Sequence, residues 1–83
     1  MPQHLKLTLY TAPGCHLCDD ALELLNPWLD KGLSLALVDI TKDELLLARY
    51  RVRIPVVASA TGTELGWPFN ADKLATWLTN LTK

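Results

Sequence analysis

The order of apolar and polar positions at the start of the chain predicts a strand followed by a helix. Leu5, Leu7 and Leu9 alternate with polar residues, which is the two-residue period of a strand with one buried face. Residues 11–14 (TAPG) interrupt this strand. From Cys15 onward apolar residues recur at three- and four-residue spacing, as on one face of a helix. These apolar positions are Leu17, Ala21, Leu24, Leu25 and Trp28.

The end of the first helix and the segment after it predict a second strand. Lys31-Gly32 supplies a stop, because glycine tolerates the left-handed backbone of a helix C-terminus. Pro27 lies inside the helix and has no backbone N–H, so we expect it to kink or divide the helix near Asn26. The length of residues 33–38 and their flanking stops predict a buried strand. It should run parallel to the first strand because a helix connects the two.

The next segment predicts a second helix and a third strand. Thr41 and Glu44 have the spacing of a capping box, with Thr41 as N-cap and Glu44 at the third helical position. The helix that they open should extend to about Tyr50. Residues 54–58 (IPVVA) then predict a third strand that begins at a proline.

The last quarter of the chain predicts a hairpin and a final helix. The Thr-Gly turn at 61–62 connects the third strand to a fourth over residues 64–67. Asn70 is placed to cap a helix whose apolar stripe is Leu74, Trp77, Leu78 and Leu81. The order β-α-β-α-β-β-α and a right-handed crossover predict an α/β fold with three α/β/α layers and a four-stranded mixed sheet. Residues 1–83 should form a single domain.

Composition narrows the classes of function. Of the 83 residues, 49% are apolar and 20% are charged, which supports a hydrophobic core and excludes a disordered chain. Apolar runs stay far below the roughly 20 residues of a membrane helix. The formal net charge of −1 disfavours binding to nucleic acid. The N-terminal segment does not resemble a secretory signal, so we expect a cytoplasmic, reducing location.

Cys15 and Cys18 carry the candidate chemistry. In a reducing compartment this spacing indicates a redox pair or a metal site. Cys15 lies at the predicted helix start, where unpaired N–H groups and the helix dipole should lower its thiol pKa below the free value of about 8.5. Cys18, one turn later, is placed to attack a mixed disulfide on Cys15. A protonated His16 should lower the Cys15 pKa further, while Asp19 and Asp20 oppose this and are screened by water.

Two other interpretations of the cysteines stay open at this point. A structural zinc site needs four ligands, and beyond the cysteines the chain offers only His4 and His16 as histidine ligands. His16 lies inside the cysteine loop, where its geometry is poor for zinc. The second alternative is a pair of inert thiols. We favour a redox pair without a metal.

Two motifs at a suitable separation resemble the thioredoxin superfamily. They are YTAPGCHLC at residues 10–18 and RIPV at residues 53–56. The compact length is similar to glutaredoxins, and the Leu-Cys end of the first motif is similar to small bacterial glutaredoxin-like proteins. The resemblance implies a thioredoxin-like fold of glutaredoxin size. It also implies a cis Ile54-Pro55 bond that presents the Ile54 N–H and C=O to an extended substrate, the alternative being a trans proline at an edge strand.

The chain departs from glutathione-using glutaredoxins at two places. Ala12 occupies the position at which those proteins typically carry a lysine. Trp67-Pro68-Phe69 replaces the stretch in which they carry a Gly-Gly pair before an acidic residue, so only Asp72 remains of that grip. These departures weigh against glutathione binding by the usual contacts. Trp67 and Phe69 have two interpretations, an aromatic rim of a substrate groove or core contacts beneath the last helix.

Three arginines precede Pro55 in the sequence. Arg53 is a candidate contact for a glutathione carboxylate or an acidic partner surface. For Arg49 and Arg51 we favour a solvated helix end, where cations are stabilised by the C-terminal dipole.

The sequence therefore predicts a thiol–disulfide oxidoreductase of glutaredoxin-like type. Cys15 attacks a disulfide in a protein or small molecule, and Cys18 resolves the mixed disulfide. No metal or organic cofactor is required, glutathione is a candidate electron donor, and we expect a monomer without nucleic-acid or membrane partners. The residues predicted to contact the substrate are Pro13, Gly14, His16, Arg53, Ile54, Pro55, Trp67 and Asp72.

Two other functions compete with this prediction. One is an iron–sulfur carrier, in which Cys15 of two subunits and two glutathione thiols hold a [2Fe–2S] cluster. The other is a thioredoxin-fold module that docks a partner protein without turnover.

Overall fold

The computed structural model describes residues 5–81 and confirms the predicted thioredoxin-like α/β fold. The elements are β1 (Lys6–Thr11), α1 (His16–Leu29), β2 (Ser34–Asp39), a 3-10 turn (Ile40–Lys42), α2 (Glu44–Tyr50), β3 (Val56–Ser59), β4 (Glu64–Gly66) and α3 (Ala71–Leu81). The sheet has the order β2-β1-β3-β4, with β1 parallel to β2 and antiparallel to β3. The predicted order of elements and the mixed four-stranded sheet are therefore both present.

Alternate side chains of the central strands pack on opposite faces of the sheet. Leu7 and Leu9 of β1 join a large apolar cluster with residues of α1 and α3. The buried members of this cluster are Leu7, Leu9, Ala21, Leu25, Leu33, Val57, Phe69, Leu74 and Leu78. On the other face a smaller cluster contains Ile40, Tyr50 and Val56, with residues of α2 packed against it. We call these the large face and the small face.

Strand β2 is an edge strand, which corrects the prediction of a buried one. It pairs with β1 along one side only. Leu35 packs against the large cluster, whereas Leu37 is 58% exposed. The sequence indicated the strand and its parallel direction, but an apolar run does not reveal whether a second strand or a helix covers it.

The first two helices differ from their predictions at specific residues. Helix α1 continues through Pro27, so the proline does not divide it. The N-cap of α2 is Asp43, not Thr41, and its carboxylate accepts the backbone N–H groups of Leu45 and Leu46. Thr41 instead lies in the 3-10 turn, where its own N–H and hydroxyl donate to Asp39. Helix α2 is therefore capped by the carboxylate of Asp43, the residue before its first helical residue, and not by the predicted capping box.

Four other local predictions are confirmed, whereas the third strand begins at Val56 and not at Pro55. Gly32 after α1 has a φ of 105°, in the left-handed region that a non-glycine residue rarely adopts. Gly62 has a φ of 93° in the turn between β3 and β4. The side-chain carbonyl of Asn70 accepts the N–H of Lys73 at 2.8 Å and so caps α3. The α3 stripe packs as expected, with Leu74 and Leu78 fully buried.

No helix within residues 5–81 is long and apolar enough to cross a membrane.

Candidate redox site at the start of the first helix

The loop after β1 turns the chain directly into α1. Gly14 has a φ of 77°, so this position favours glycine. The N–H of Cys15 donates to the carbonyl of Ala12 at 3.3 Å, which closes the turn. Cys15 has an extended backbone and is the N-cap of α1. Pro13 and Gly14 are exposed on the outside of this turn, beside the cysteines.

The two cysteines have different surroundings. Their sulfur atoms are bonded to each other, so the structure shows the oxidised pair, with Cα atoms 5.3 Å apart. The backbone N–H of Cys18 donates a hydrogen bond to Sγ of Cys15 at 3.1 Å. Cys15 is partly exposed, whereas Cys18 is only 4% exposed. An approaching molecule therefore reaches Cys15 before Cys18.

The residues around the pair present both apolar and charged groups to solvent. Leu17, between the cysteines, is 47% exposed, in contrast to the other apolar positions predicted for the helix face. His16 is also exposed. Asp19 and Asp20 extend into solvent from the first turn of α1. Their exposure agrees with the expectation that water screens their charges.

The loop that contains Pro55 lies at the same end of the sheet as the cysteines. In the β1–β3 register Tyr10 is opposite Val56, which places Pro55 beside the end of β1 that leads to the cysteine loop. Ala12 and Ile54 pack against the same small cluster. The Ile54-Pro55 peptide bond is cis in the structure, and so is Trp67-Pro68, which the sequence had not suggested.

The backbone groups around Pro55 correct one expectation. The N–H of Ile54 donates to the carbonyl of Tyr50 at 3.1 Å, since α2 ends in a tight turn that also bonds Arg53 N–H to the same oxygen. The N–H of Ile54 is thus occupied and is not presented to a substrate. The Pro55 carbonyl accepts the N–H of Trp67 at 3.1 Å. Within residues 5–81 the Ile54 carbonyl accepts no backbone hydrogen bond, so it is the group that can meet a partner.

Arg53 is held by residues that the sequence did not single out. Its guanidinium Nη2 lies 2.9 Å from Oε1 of Glu64 on β4, in an ion pair. The phenol of Tyr50 donates a hydrogen bond to the other oxygen of Glu64. The Tyr50 ring stacks on Tyr10, with centroids 4.2 Å apart. Since Glu64 lies 11 and 14 positions from its two partners, no local pattern could have indicated this network.

The network also changes two pKa values. The hydrogen bond to Glu64, together with burial, raises the pKa of Tyr50 to about 12. The same hydrogen bond and the one from Arg53 lower the pKa of Glu64 below its usual value. Glu64 is therefore ionised and Tyr50 is protonated at neutral pH.

The remaining predicted contacts are Trp67, which packs on the large face, and Asp72, which is exposed at the start of α3. Trp67 is partly buried and packs against the large cluster, in edge contact with buried Phe69 at 5.1 Å between ring centroids. This favours core contacts over an aromatic rim. Asp72 is exposed in the first turn of α3 and lines an open depression of about 360 Å³. That depression includes neither the cysteine loop nor the Pro55 loop; its other lining residues are Leu65, Lys73, Thr76, Trp77 and Asn80.

The described residues contain no group of three or more His, Cys, Asp or Glu side chains that could hold a metal ion. His4, the histidine outside the cysteine loop, lies outside the part of the chain that the structure describes.

Comparison with known proteins adds a family and a fold. The model of the glutaredoxin-like domain (DUF836) matches residues 6–79. An X-ray structure of a Northeast Structural Genomics target protein, XcR50 from X. campestris, is 40% identical and superposes with a TM-score of 0.80, covering 89% of this chain and 96% of that one. A solution structure of XcR50, also 40% identical, gives a TM-score of 0.78 over 89% of this chain and 92% of that one.

A more distant structure shares the fold alone. It is described as that of a malarial protein and is 17% identical, with a TM-score of 0.64 over 92% of this chain and 94% of that one. The fold therefore persists where little sequence identity remains.

Proposed function

The chain belongs to the glutaredoxin-like domain family, and from this premise we propose that it is a thiol–disulfide oxidoreductase with Cys15 as nucleophile and Cys18 as resolving thiol. The observation that carries the proposal is the asymmetry of the pair. Cys15 is the partly exposed N-cap of α1 and its sulfur accepts a backbone N–H, whereas Cys18 is buried one turn away. A thiolate at a helix start is stabilised by such N–H groups and by the helix dipole.

The reaction needs no other group than the two thiols. The Cys15 thiolate attacks one sulfur of a disulfide, forms a mixed disulfide and releases the other sulfur as a thiolate, which takes up a proton. Cys18, having lost its proton, then attacks Sγ of Cys15. The substrate leaves as a second thiol, so two electrons reduce the substrate while the Cys15–Cys18 disulfide forms. An external dithiol, or two molecules of a monothiol such as glutathione, restores the reduced pair.

The Pro55 loop supports the proposal from the substrate side. The Ile54 carbonyl faces no backbone donor in the described chain, and an extended substrate can donate an N–H to it, as an added strand does. This is a one-sided contact, since the Ile54 N–H is bonded to Tyr50. Such a contact positions the substrate chain beside Cys15.

We further propose a cytoplasmic location, where reducing conditions return the pair to its dithiol form.

Trapping the mixed disulfide tests the proposal directly. Cys18→Ser protein, mixed with an excess of a disulfide peptide, should accumulate a covalent adduct on Cys15 that mass spectrometry detects, because the resolving thiol is missing. Wild-type protein should reduce the same peptide without accumulating the adduct, and Cys15→Ser should do neither. Peptide reduction by Cys15→Ser at the wild-type rate would contradict the assignment of the nucleophile.

The competing functions give different results in simple measurements. An iron–sulfur carrier would show visible absorption after reconstitution with iron, sulfide and glutathione, and would lose it in Cys15→Ser. A binding module would retain its partner and its cellular role in Cys15→Ser.

Comparison of glutathione with dithiothreitol as reductant, at equal thiol concentration, tests whether glutathione serves as electron donor. Sedimentation of the purified protein tests the proposed monomer.

A further inference from the structure

The end of α2 and the loop after it present cations and an exposed apolar side chain. Arg49, Arg51 and Arg53 occur at alternate positions, and all three are exposed. Between the last two, Val52 is 91% exposed, more than any other large apolar residue described as exposed. We call Arg49, Arg51, Val52 and Arg53 the arginine surface. Val52 therefore adds apolar area that a docked partner can cover beside the cations.

The positive charge of this surface is only partly neutralised. Within residues 5–81 the only ion pair is that between Arg53 and Glu64. The guanidinium groups of Arg49 and Arg53 lie 5.7 and 5.2 Å from the centre of the Tyr50 ring, which attracts them without cancelling their charge. Glu64 therefore pairs with one of the three guanidinium groups, and the surface keeps an excess of positive charge.

The arginine surface lies within the footprint of a protein docked on Cys15. Val52 precedes Pro55 by three residues, which limits their separation to about 11 Å. Pro55 in turn lies beside the end of β1, and the N–H of Cys15 folds back onto Ala12 just beyond that end. A standard protein interface covers about 800 Å² on each partner, which spans such distances.

The other flank of the cysteines has the opposite charge. Asp19, Asp20 and Glu23 are exposed along the start of α1. Helix α1 packs on the large face and α2 on the small face, so the carboxylates and the arginine surface lie on opposite sides of the sheet end at which Cys15 is placed. A partner that spans Cys15 meets positive charge on one side and negative charge on the other.

We propose, on the premise of the thiol–disulfide exchange above, that the arginine surface selects protein disulfides in which acidic residues flank the target cysteine on one side. The acidic residues face Arg51 and Arg53, and an apolar residue of the partner covers Val52. The occupant is a protein, because an interface of standard size extends over both Cys15 and Val52. The charges on the α1 side disfavour substrates with acidic residues on both sides.

Matched peptide disulfides test this substrate class. Each substrate is the disulfide dimer of a peptide with one cysteine, carrying glutamates, glutamines or lysines either before or after that cysteine. Reduced protein is freed of reductant and mixed with excess dimer, and the formation of protein disulfide and two peptide thiols is followed. One of the two glutamate dimers should react about tenfold faster than its glutamine counterpart at low salt, and the advantage should decrease at high salt.

Charge reversal identifies the surface responsible. Arg51→Glu should reduce the glutamate-to-glutamine rate ratio by about tenfold. Lys6→Glu makes the same change of charge at the opposite end of β1, on an exposed residue, and should leave the ratio unchanged. A general loss of reactivity lowers the rates with both peptides equally, so it leaves the glutamate-to-glutamine rate ratio unchanged.

The outcomes separate the two levels of the proposal. No reaction with any peptide dimer contradicts the proposed oxidoreductase itself. Reaction at equal rates with all dimers, or a ratio that Arg51→Glu and Lys6→Glu change equally, overturns the substrate class and leaves the oxidoreductase standing.

Discussion

The two faces of the sheet are built from different kinds of contact. On the large face α1 and α3 enclose nine buried residues, all of them apolar. On the small face the apolar cluster has three buried members, and one of them, Tyr50, uses its hydroxyl to bond Glu64, which also pairs with Arg53. The large face fixes its helices by apolar burial, and the small face fixes the α2–β3 loop by a few polar contacts.

This difference separates the two halves of the candidate site. The cysteines begin α1 and therefore rest on the apolar large face. Pro55 and the arginine surface adjoin the small face, where Glu64 connects the loop to β4. In the proposed function the reactive group lies on the more strongly packed region and the partner-binding loop on the other, so the loop can adjust to different partners without moving the sulfur atoms.

The largest expected effect comes from a cavity in the large face. Leu25 of α1 is fully buried, and Leu25→Ala should reduce the free energy of unfolding by about 2–5 kcal/mol. Leu45→Ala, on α2, removes the same atoms from a side chain that is 82% exposed and should change stability by less than about 0.5 kcal/mol. Urea unfolding of the oxidised proteins measures both, and equal losses would contradict the burial described for the two leucines.

The polar network of the small face should contribute less. Glu64→Gln keeps the shape of the side chain but loses its charge, and should cost about 1–2 kcal/mol, since Arg53 is partly exposed to water. The same urea experiment measures this loss. A cost as large as that of Leu25→Ala would show that the two faces do not differ in the way described.

The pH dependence of stability distinguishes the network from simple packing. The lowered pKa of Glu64 means that its contribution is present above about pH 4.5, its usual value, and is lost as the pH falls further. The raised pKa of Tyr50, from 10.0 to about 12, means that its contribution is present below pH 10 and is lost between pH 10 and about 12.

Stability measured across pH therefore separates the variants. Glu64→Gln should approach wild type in stability below pH 4.5, and Tyr50→Phe should lose less stability than wild type between pH 10 and 12. Parallel stability curves for wild type and both variants would contradict the network.

Local contacts explain why much of the fold could be predicted from the sequence. The alternation of Leu5, Leu7 and Leu9, the cap at Asn70 and the glycine stop at Gly32 each act over a few residues. Non-local features were missed. The exposure of Leu37 depends on which strands border β2, and the bonds of Glu64 cross elements that are distant in sequence.

Competition between similar local signals explains the errors that remain. Thr41 and Asp43 are both good caps, and the sequence does not state that Thr41 lies inside a 3-10 turn capped by Asp39 while Asp43 caps α2. The cysteine pair was visible because its spacing and its place before a helical pattern are both local. The occupied N–H of Ile54 was not, since it depends on how tightly α2 ends at Tyr50.

The smallest expected effect comes from the helix caps, which should be similar on the two faces. Asp43→Ala removes the cap of α2 and Asn70→Ala that of α3, and each should cost about 1 kcal/mol because one or two backbone N–H groups lose their acceptor. Equal losses of stability in the two variants would show that the large and small faces differ in side-chain packing and not in the capping of their helices. A negligible cost at either cap would contradict the hydrogen bond assigned there.

The alkylation rate of each reduced cysteine against pH tests the central claim most directly. After reaction with iodoacetamide, mass spectrometry assigns the modified residue. Cys15 should react quickly, with an apparent pKa clearly below the value of about 8.5 for a free thiol, because the N–H groups at the start of α1 stabilise its thiolate. Cys18 should react slowly because it is buried. Two equally slow thiols, or a Cys15 that titrates near 8.5 or above, would contradict the nucleophile–resolver assignment.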